Sequence, residues 1–168
     1  QSIDIHIRIL FSIFLVILGA GIVGVNSATE PLPPNVRLTN EAWKAYDNKK
    51  YDQAIKKAEE CIKEFERDAI PEQKELEKSN APLPPLGKVS EEEKKTIFNR
   101  GLLNDVATCW LIKGLSLEKL GRIQEAIRAY CKAATFTYAL TYDPSWDGFW
   151  SPSKKAKNSL SYLNGTCE

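Results

Sequence analysis

Two hydrophobic patterns divide the chain. From Ile3 to Ile9 apolar and polar residues alternate, Ile3, Ile5, Ile7 and Ile9 against Asp4, His6 and Arg8, which is the pattern of a half-buried strand able to complete a neighbour's surface. The alternation gives way to a stretch without a charge from Ile9 to Thr29, in which Ile9 to Val25 are 17 apolar or small residues, Phe11 and Phe14 among them. As a helix that run would be about 25 Å long, slightly short of a hydrocarbon core of roughly 30 Å. Strand and helix both remain open for residues 3–25. The spacer that follows, residues 29–37, is rich in proline.

Beyond the spacer the period becomes that of amphipathic helices, and Glu, Asp and Lys are mixed densely from Glu41 to Lys95. Apolar and small residues recur at helical spacing in "NEAWKAYDNKKYDQAIKKAEECI" and in "CWLIKGLSLEKLGRIQEAIRAYCKAA", where Gly121 interrupts the pattern as a turn. "APLPPLGK" reads as a loop. "SEEEKKTIF" opens a helix, with Ser90 as cap and Glu93 answering it three residues later, and Gly101 kinks that helix or separates it from the next. Ser151 and Pro152 begin a last helix, on which Lys154, Lys155 and Lys157 read as a solvated face. The fold class expected is all-α.

Read position by position, the second stretch resembles the tetratricopeptide repeat (TPR), a helix-turn-helix of about 34 residues. Trp110 stands at its Trp place, Gly114 at the close-contact Gly and Leu117 at the Tyr place, followed by Gly121 in the turn, the packing Ala126, Tyr130 and Ala133. Gly114 is expected to face Ala126 where the two helices cross. The earlier stretch repeats the pattern with Ala42, Tyr51, Ala54, Ala58 and Cys61. Ala54 and Ala126 are 72 residues apart, about two repeat lengths, so a degenerate unit is expected between them. The resemblance thus implies a TPR-like helical domain over residues 38–164: a repeat at 38–70, a degenerate middle at 71–103, a repeat at 104–141 and a cap helix at 151–163. It also implies a concave groove lined by the first helix of each repeat, with Trp43, Tyr46, Asp47, Leu111, Leu115, Glu118 and Lys119 pointing into it. An equally weighted alternative packs Trp43 and Leu115 against the middle segment.

Composition removes several function classes. The chain has 168 residues, with 23 Lys and Arg against 22 Asp and Glu, so no net charge drives binding to nucleic acid. His6 is the only histidine, which leaves no Ser-His-Asp arrangement in the helical body, and no Gly-rich phosphate loop is present. No catalytic residues, cofactor or metal are expected. Cys61, Cys109, Cys131 and Cys167 lack the paired spacing of a zinc site, and an even count in an exported chain favours two disulfides and an oxidising compartment. Four cysteines allow three connectivities; placed on the repeats, Cys61 with Cys109 and Cys131 with Cys167 are the expected pairs. "NGT" marks Asn164 as an N-glycosylation acceptor.

Function then turns on residues 1–28, the apolar assembly or anchor segment. The chain has no Met, so Gln1 is expected to follow a removed upstream segment. A short polar start, Asp4, about twenty apolar residues and then a globular head resemble the organisation of type IV pilin-like subunits over the first 25 residues. That resemblance implies that Asp4 pairs with a neighbouring subunit's terminal amine. The expected function is a non-enzymatic subunit that assembles with itself into an extracellular or cell-surface filament, glycosylated on its surface, through Ile3, Asp4, Ile5, Ile7, Ile9, Phe11 and Phe14. The alternative is an exported adaptor anchored in a membrane by residues 9–25, binding a partner peptide in its groove.

Overall fold

The computed structural model describes residues 31–167. Among them six α-helices and one two-stranded sheet follow in the order α1 (Pro34–Asp47), α2 (Tyr51–Lys78), α3 (Glu91–Phe98), α4 (Gly101–Lys119), α5 (Ile123–Thr135), β1 (Thr141–Asp143), β2 (Gly148–Trp150) and α6 (Pro152–Tyr162). The protein is mostly helical, as its periodicity predicts. The expectations for Ile3, Asp4, Ile5, Ile7, Ile9, Phe11 and Phe14, and for residues 9–25 as an anchor, lie outside the described residues. Among the described residues no helix is long and apolar enough to cross a membrane.

Local chemistry sets the helix ends. Pro33 and Pro34 start α1, where a missing N–H costs nothing because the first helical donors have no partner in the helix. Lys49 in the left-handed region turns the chain from α1 into α2, and Gly121, φ +73°, does the same between α4 and α5 at no steric cost. The expected capping box is formed: the Glu93 amide donates to Ser90 Oγ at 3.2 Å and the Ser90 amide donates to Glu93 Oε2 at 2.9 Å. At α6 the Lys154 amide donates to the Ser151 hydroxyl, with Pro152 in the first turn.

Two helical hairpins, α1 with α2 and α4 with α5, pack directly on each other, and α4 is the central element, touching α1, α2, α5 and α6. Between the hairpins lie Leu38, Ala42, Ala54, Ala58, Cys61, Cys109 and Ile112, all buried. A second cluster joins Leu111, Leu117, Ala126, Tyr130 and Ala133 to Ala156 and Leu160 of α6, so the last helix covers the apolar side of the second hairpin. Gly114 makes room for Tyr130 and not, as expected, for Ala126: a Cβ there would stand 2.6 Å from two atoms of the Tyr130 ring.

Residues 71–103, expected as a degenerate middle unit, hold the end of α2, a loop, the short α3 and the first residues of α4. Their first part prolongs α2 to Lys78, with Pro71 on its exposed side. Gln73 there is buried, accepting from the Tyr138 amide and donating to Thr137, while Tyr138 donates to the Ala81 carbonyl at 2.7 Å. The long α2 thus fastens the connection after α5. The proline loop then runs to Gly87, which exchanges two backbone hydrogen bonds with Phe149 of β2. The short antiparallel pair, Thr141 opposite Trp150 and Asp143 opposite Gly148, is an element that helical spacing did not predict.

A disulfide joins Cys131 of α5 to Cys167 beyond α6, one of the two expected pairs. Cys61 and Cys109 are brought together as well, but as two buried thiols and not as the expected disulfide. Their sulfurs lie 3.9 and 3.3 Å from the Thr39 hydroxyl, on the faces where α2 and α4 meet α1.

Candidate functional site

Because α1 and α4 run alongside each other, side chains at helical spacing on both form the walls of one cleft. Val36, Thr39, Asn40 and Trp43 supply one wall and Gly101, Asn104, Asp105 and Thr108 the other. Phe98, at the end of α3, and Leu140, Thr141, Tyr142 and Phe149 of the strand region close it. The cleft has a volume of about 340 Å³. Of the described residues lining it, Asp105 alone carries a charge.

Hydrogen bonds hold the polar wall in place. Asn104 is spent on the fold: its amide donates to the Ile97 carbonyl at 2.8 Å, and its Oδ1 accepts from the Leu140 amide at 2.9 Å. That pair of bonds ties α3 and the strand region to α4. Thr108 donates to the Asn104 carbonyl and shares a 2.7 Å hydrogen bond with Thr141. Asp105 accepts from Asn35 Nδ2 at 2.6 Å. Burial pushes the Asp105 carboxyl up to about 6, against the opposing hydrogen bond from Asn35 and the nearby Thr39 hydroxyl, which itself donates to the Asn35 carbonyl at 2.9 Å. Neither of these donors is a cation.

An aromatic group forms the other side. Phe98, Tyr142 and Phe149 pack with ring centroids 5.2 to 5.5 Å apart, at tilted or edge-on angles. Lys94 lies 4.7 Å over the Tyr142 ring and is paired with Asp147 at 2.8 Å, which also accepts from the Tyr142 hydroxyl. Trp43 packs edge-on against both Trp150 and Tyr46, and Tyr46 lies against Tyr51.

Of the expected groove residues, only Trp43 lines this cleft. Tyr46 is half-buried in the aromatic row, and Asp47 is exposed at the last position of α1. Leu111 is sealed completely in the cluster that α6 covers, and Leu115 is packed against the same cluster. Glu118 is committed to the fold, accepting from the Tyr130 hydroxyl at 2.6 Å, and burial together with that carboxylate pushes the Tyr130 phenol up. Lys119 is exposed in the last turn of α4. Of the expected residues on the C-terminal half of α4, Leu111, Leu115 and Glu118 are thus packed or engaged in the fold and Lys119 is exposed. Thr39, Asn40, Asp105 and Thr108 were not anticipated. The available signal was Asp105 itself, the single charge in the twelve residues from Gly101 to Ile112.

Asn164 is exposed, with φ 50°, in the turn after α6. Among the described residues no group of three or more His, Cys, Asp or Glu side chains is placed to hold a metal ion. No family model matches the chain, and neither a curated protein nor a solved structure is found to be similar to it.

Proposed function

We propose that this chain is a non-enzymatic interaction protein whose two TPR-like hairpins, closed by α6 as a cap, bind an extended peptide in the cleft between α1 and α4. The observation that carries the reading is the cleft itself: the first helices of the two hairpins stand side by side with exposed and half-buried groups between them, Trp43 and Asn40 on one side and Asp105 on the other. Peptide-binding grooves are commonly apolar with a few fixed polar groups, and this one has that composition. Among the described residues no histidine and no second acid lines the cleft with Asp105, which favours binding over catalysis.

A random peptide library displayed on phage and panned against the full chain in mild detergent tests the proposal. Enriched peptides should lose binding to the Trp43→Ala variant, whereas no enrichment, or binding indifferent to that substitution, would refute it.

A second reading keeps residues 1–28 as the assembly segment of a surface filament built from copies of this chain. It is supported by the uncharged stretch from Ile9 to Thr29, which needs a place to be buried, and by the tendency of repeat modules to stack head to tail. The Cys131–Cys167 disulfide suits an oxidising, extracellular setting, and the exposed Asn164 could carry a glycan there. Negative-stain images of the chain purified without detergent should show ordered fibres that vanish when residues 1–25 are deleted. Fibres that persist in the deletion variant would remove the segment from that role.

A further inference from the structure

We infer that the cleft between α1 and α4 is a receptor for one basic side chain, the arginine or lysine of an extended peptide, with Asp105 as its counter-ion and Trp43, Phe98 and Tyr142 as its apolar lining. The inference rests on the peptide-binding reading above and specifies which peptides are bound.

Charge complementarity is the first argument. Asp105 is the only charged residue among those lining the cleft, and the groups it accepts from on the protein are neutral. A carboxylate withdrawn from water and left without a cation has spare acceptor capacity, since each carboxylate oxygen accepts more than one hydrogen bond. Lys94, on the aromatic side, is already engaged: it is held by Asp147 and stacked on Tyr142. A basic group brought by a ligand therefore meets an acid beside which no described Lys or Arg lines the cleft.

The lining is the second. An arginine or lysine side chain is an apolar stem with a cationic head, and it needs apolar walls along the stem and acceptors or aromatic faces at the tip. Trp43 and the Phe98, Tyr142 and Phe149 group provide such walls, and the Thr39, Thr108 and Thr141 hydroxyls lie on the polar side. Phe98 is 48% exposed although its ring packs against two aromatic neighbours, so it presents a free apolar surface at the rim. Size is the third argument. At about 340 Å³ the cleft falls at the lower end of the roughly 300–1,000 Å³ typical of ligand pockets, room for a side chain and its backbone rather than for a larger ligand.

The test uses four fluorescein-labelled peptides identical except for a central Arg, Lys, citrulline or Glu between leucines and glycines, titrated on the full chain by fluorescence anisotropy at pH 8. The Arg and Lys peptides should bind at least about tenfold more tightly than the citrulline and Glu peptides, since a charge-assisted bond is lost with the charge. Asp105→Asn should remove that preference, bringing the Arg and Lys peptides to the affinity of the citrulline peptide on the same variant. Citrulline binding as tightly as Arg, or a preference for Arg that survives Asp105→Asn, overturns the inference. If all four peptides bind alike and Trp43→Ala weakens them all, the cleft still binds peptides and only the basic specificity fails. If none responds to Trp43→Ala, the peptide-binding reading fails with it.

Discussion

An ionised Asp105 has to be accommodated between α1 and α4 by amide and hydroxyl donors alone. Asn35 and Thr39 face it from α1, Cys61 approaches its backbone carbonyl from α2, and Cys109 stands one turn further along α4. No cation is among these groups, so burial dominates and lifts the carboxyl from 3.8 to about 6. The folded state therefore holds this proton more tightly than the unfolded chain does. Its contribution to stability is greatest below about pH 4, declines as pH rises through 6, and is flat above that. Asp105→Asn removes the charge, keeps an acceptor for Asn35 and is expected to raise stability at pH 8 by on the order of 1–3 kcal/mol. That gain should shrink towards zero at pH 4. Urea unfolding of both proteins at the two pH values checks this, and comparing them cancels the other carboxylates; a gain that does not change with pH would contradict the assignment. The residue was not singled out from sequence because an acid within a helical apolar run looks like an ordinary polar position. What distinguishes it is Asn35, 70 positions away, which only the packing of α1 on α4 brings near.

At the scale of elements, the helices were legible because each buries one face, and the hairpins because small residues recur where helices cross. The caps at Ser90 and Ser151 were legible for the same local reason. The prolongation of α2 was not legible because Gln73, buried on it, finds its long-range partners in the distant Thr137 and Tyr138, and Pro71 lies on the exposed side of the helix. The strands are three residues each, too short for an alternation to register, and the Gly87 bridge that extends them is long-range. Gly114 shows how a residue recognised correctly can act through another partner. Replacing it by Ala gains about 1 kcal/mol of helix propensity. The added methyl, however, meets the fully buried Tyr130 ring at 2.6 Å, and the ring is anchored by its hydroxyl on Glu118. Overpacking of this kind costs about 1–3 kcal/mol and should exceed the propensity gain. Gly114→Ala is expected to lower stability by up to roughly 2 kcal/mol in urea unfolding. Tyr130→Leu made in the Gly114→Ala background should cost less than it does alone, because the clash is then already relieved. A variant as stable as the parent would mean that the ring shifts aside freely.

For the molecule as a whole, the C-terminal end is held in two ways, by burial and by a covalent tie. Ala156 and Leu160 of α6 complete the cluster around Leu111 and Tyr130. The Cys131–Cys167 disulfide, spanning 36 residues, then fixes the segment after α6 back onto α5. Repeat placement made this pairing legible and also placed Cys61 beside Cys109, but proximity alone does not decide whether two sulfurs are bonded. Both of those thiols are fully buried, and burial pushes the Cys109 thiol up, so neither presents a reactive thiolate to solvent. Alkylation of the native protein without reductant is therefore expected to modify no cysteine, and alkylation after unfolding in guanidinium to modify Cys61 and Cys109 only. Peptide mapping should recover Cys131 and Cys167 in one cross-linked species. Recovery of a Cys61–Cys109 cross-link instead would restore the pairing expected from the repeats and imply a protein oxidised throughout. Closing a loop of this length stabilises a fold by roughly 2–4 kcal/mol, and Cys167→Ser should lose that amount in urea unfolding. The loss should be matched by reducing the parent protein, because both treatments remove the same constraint on the unfolded chain. A Cys167→Ser protein as stable as the oxidised parent would show that the burial of α6 alone holds the end of the chain.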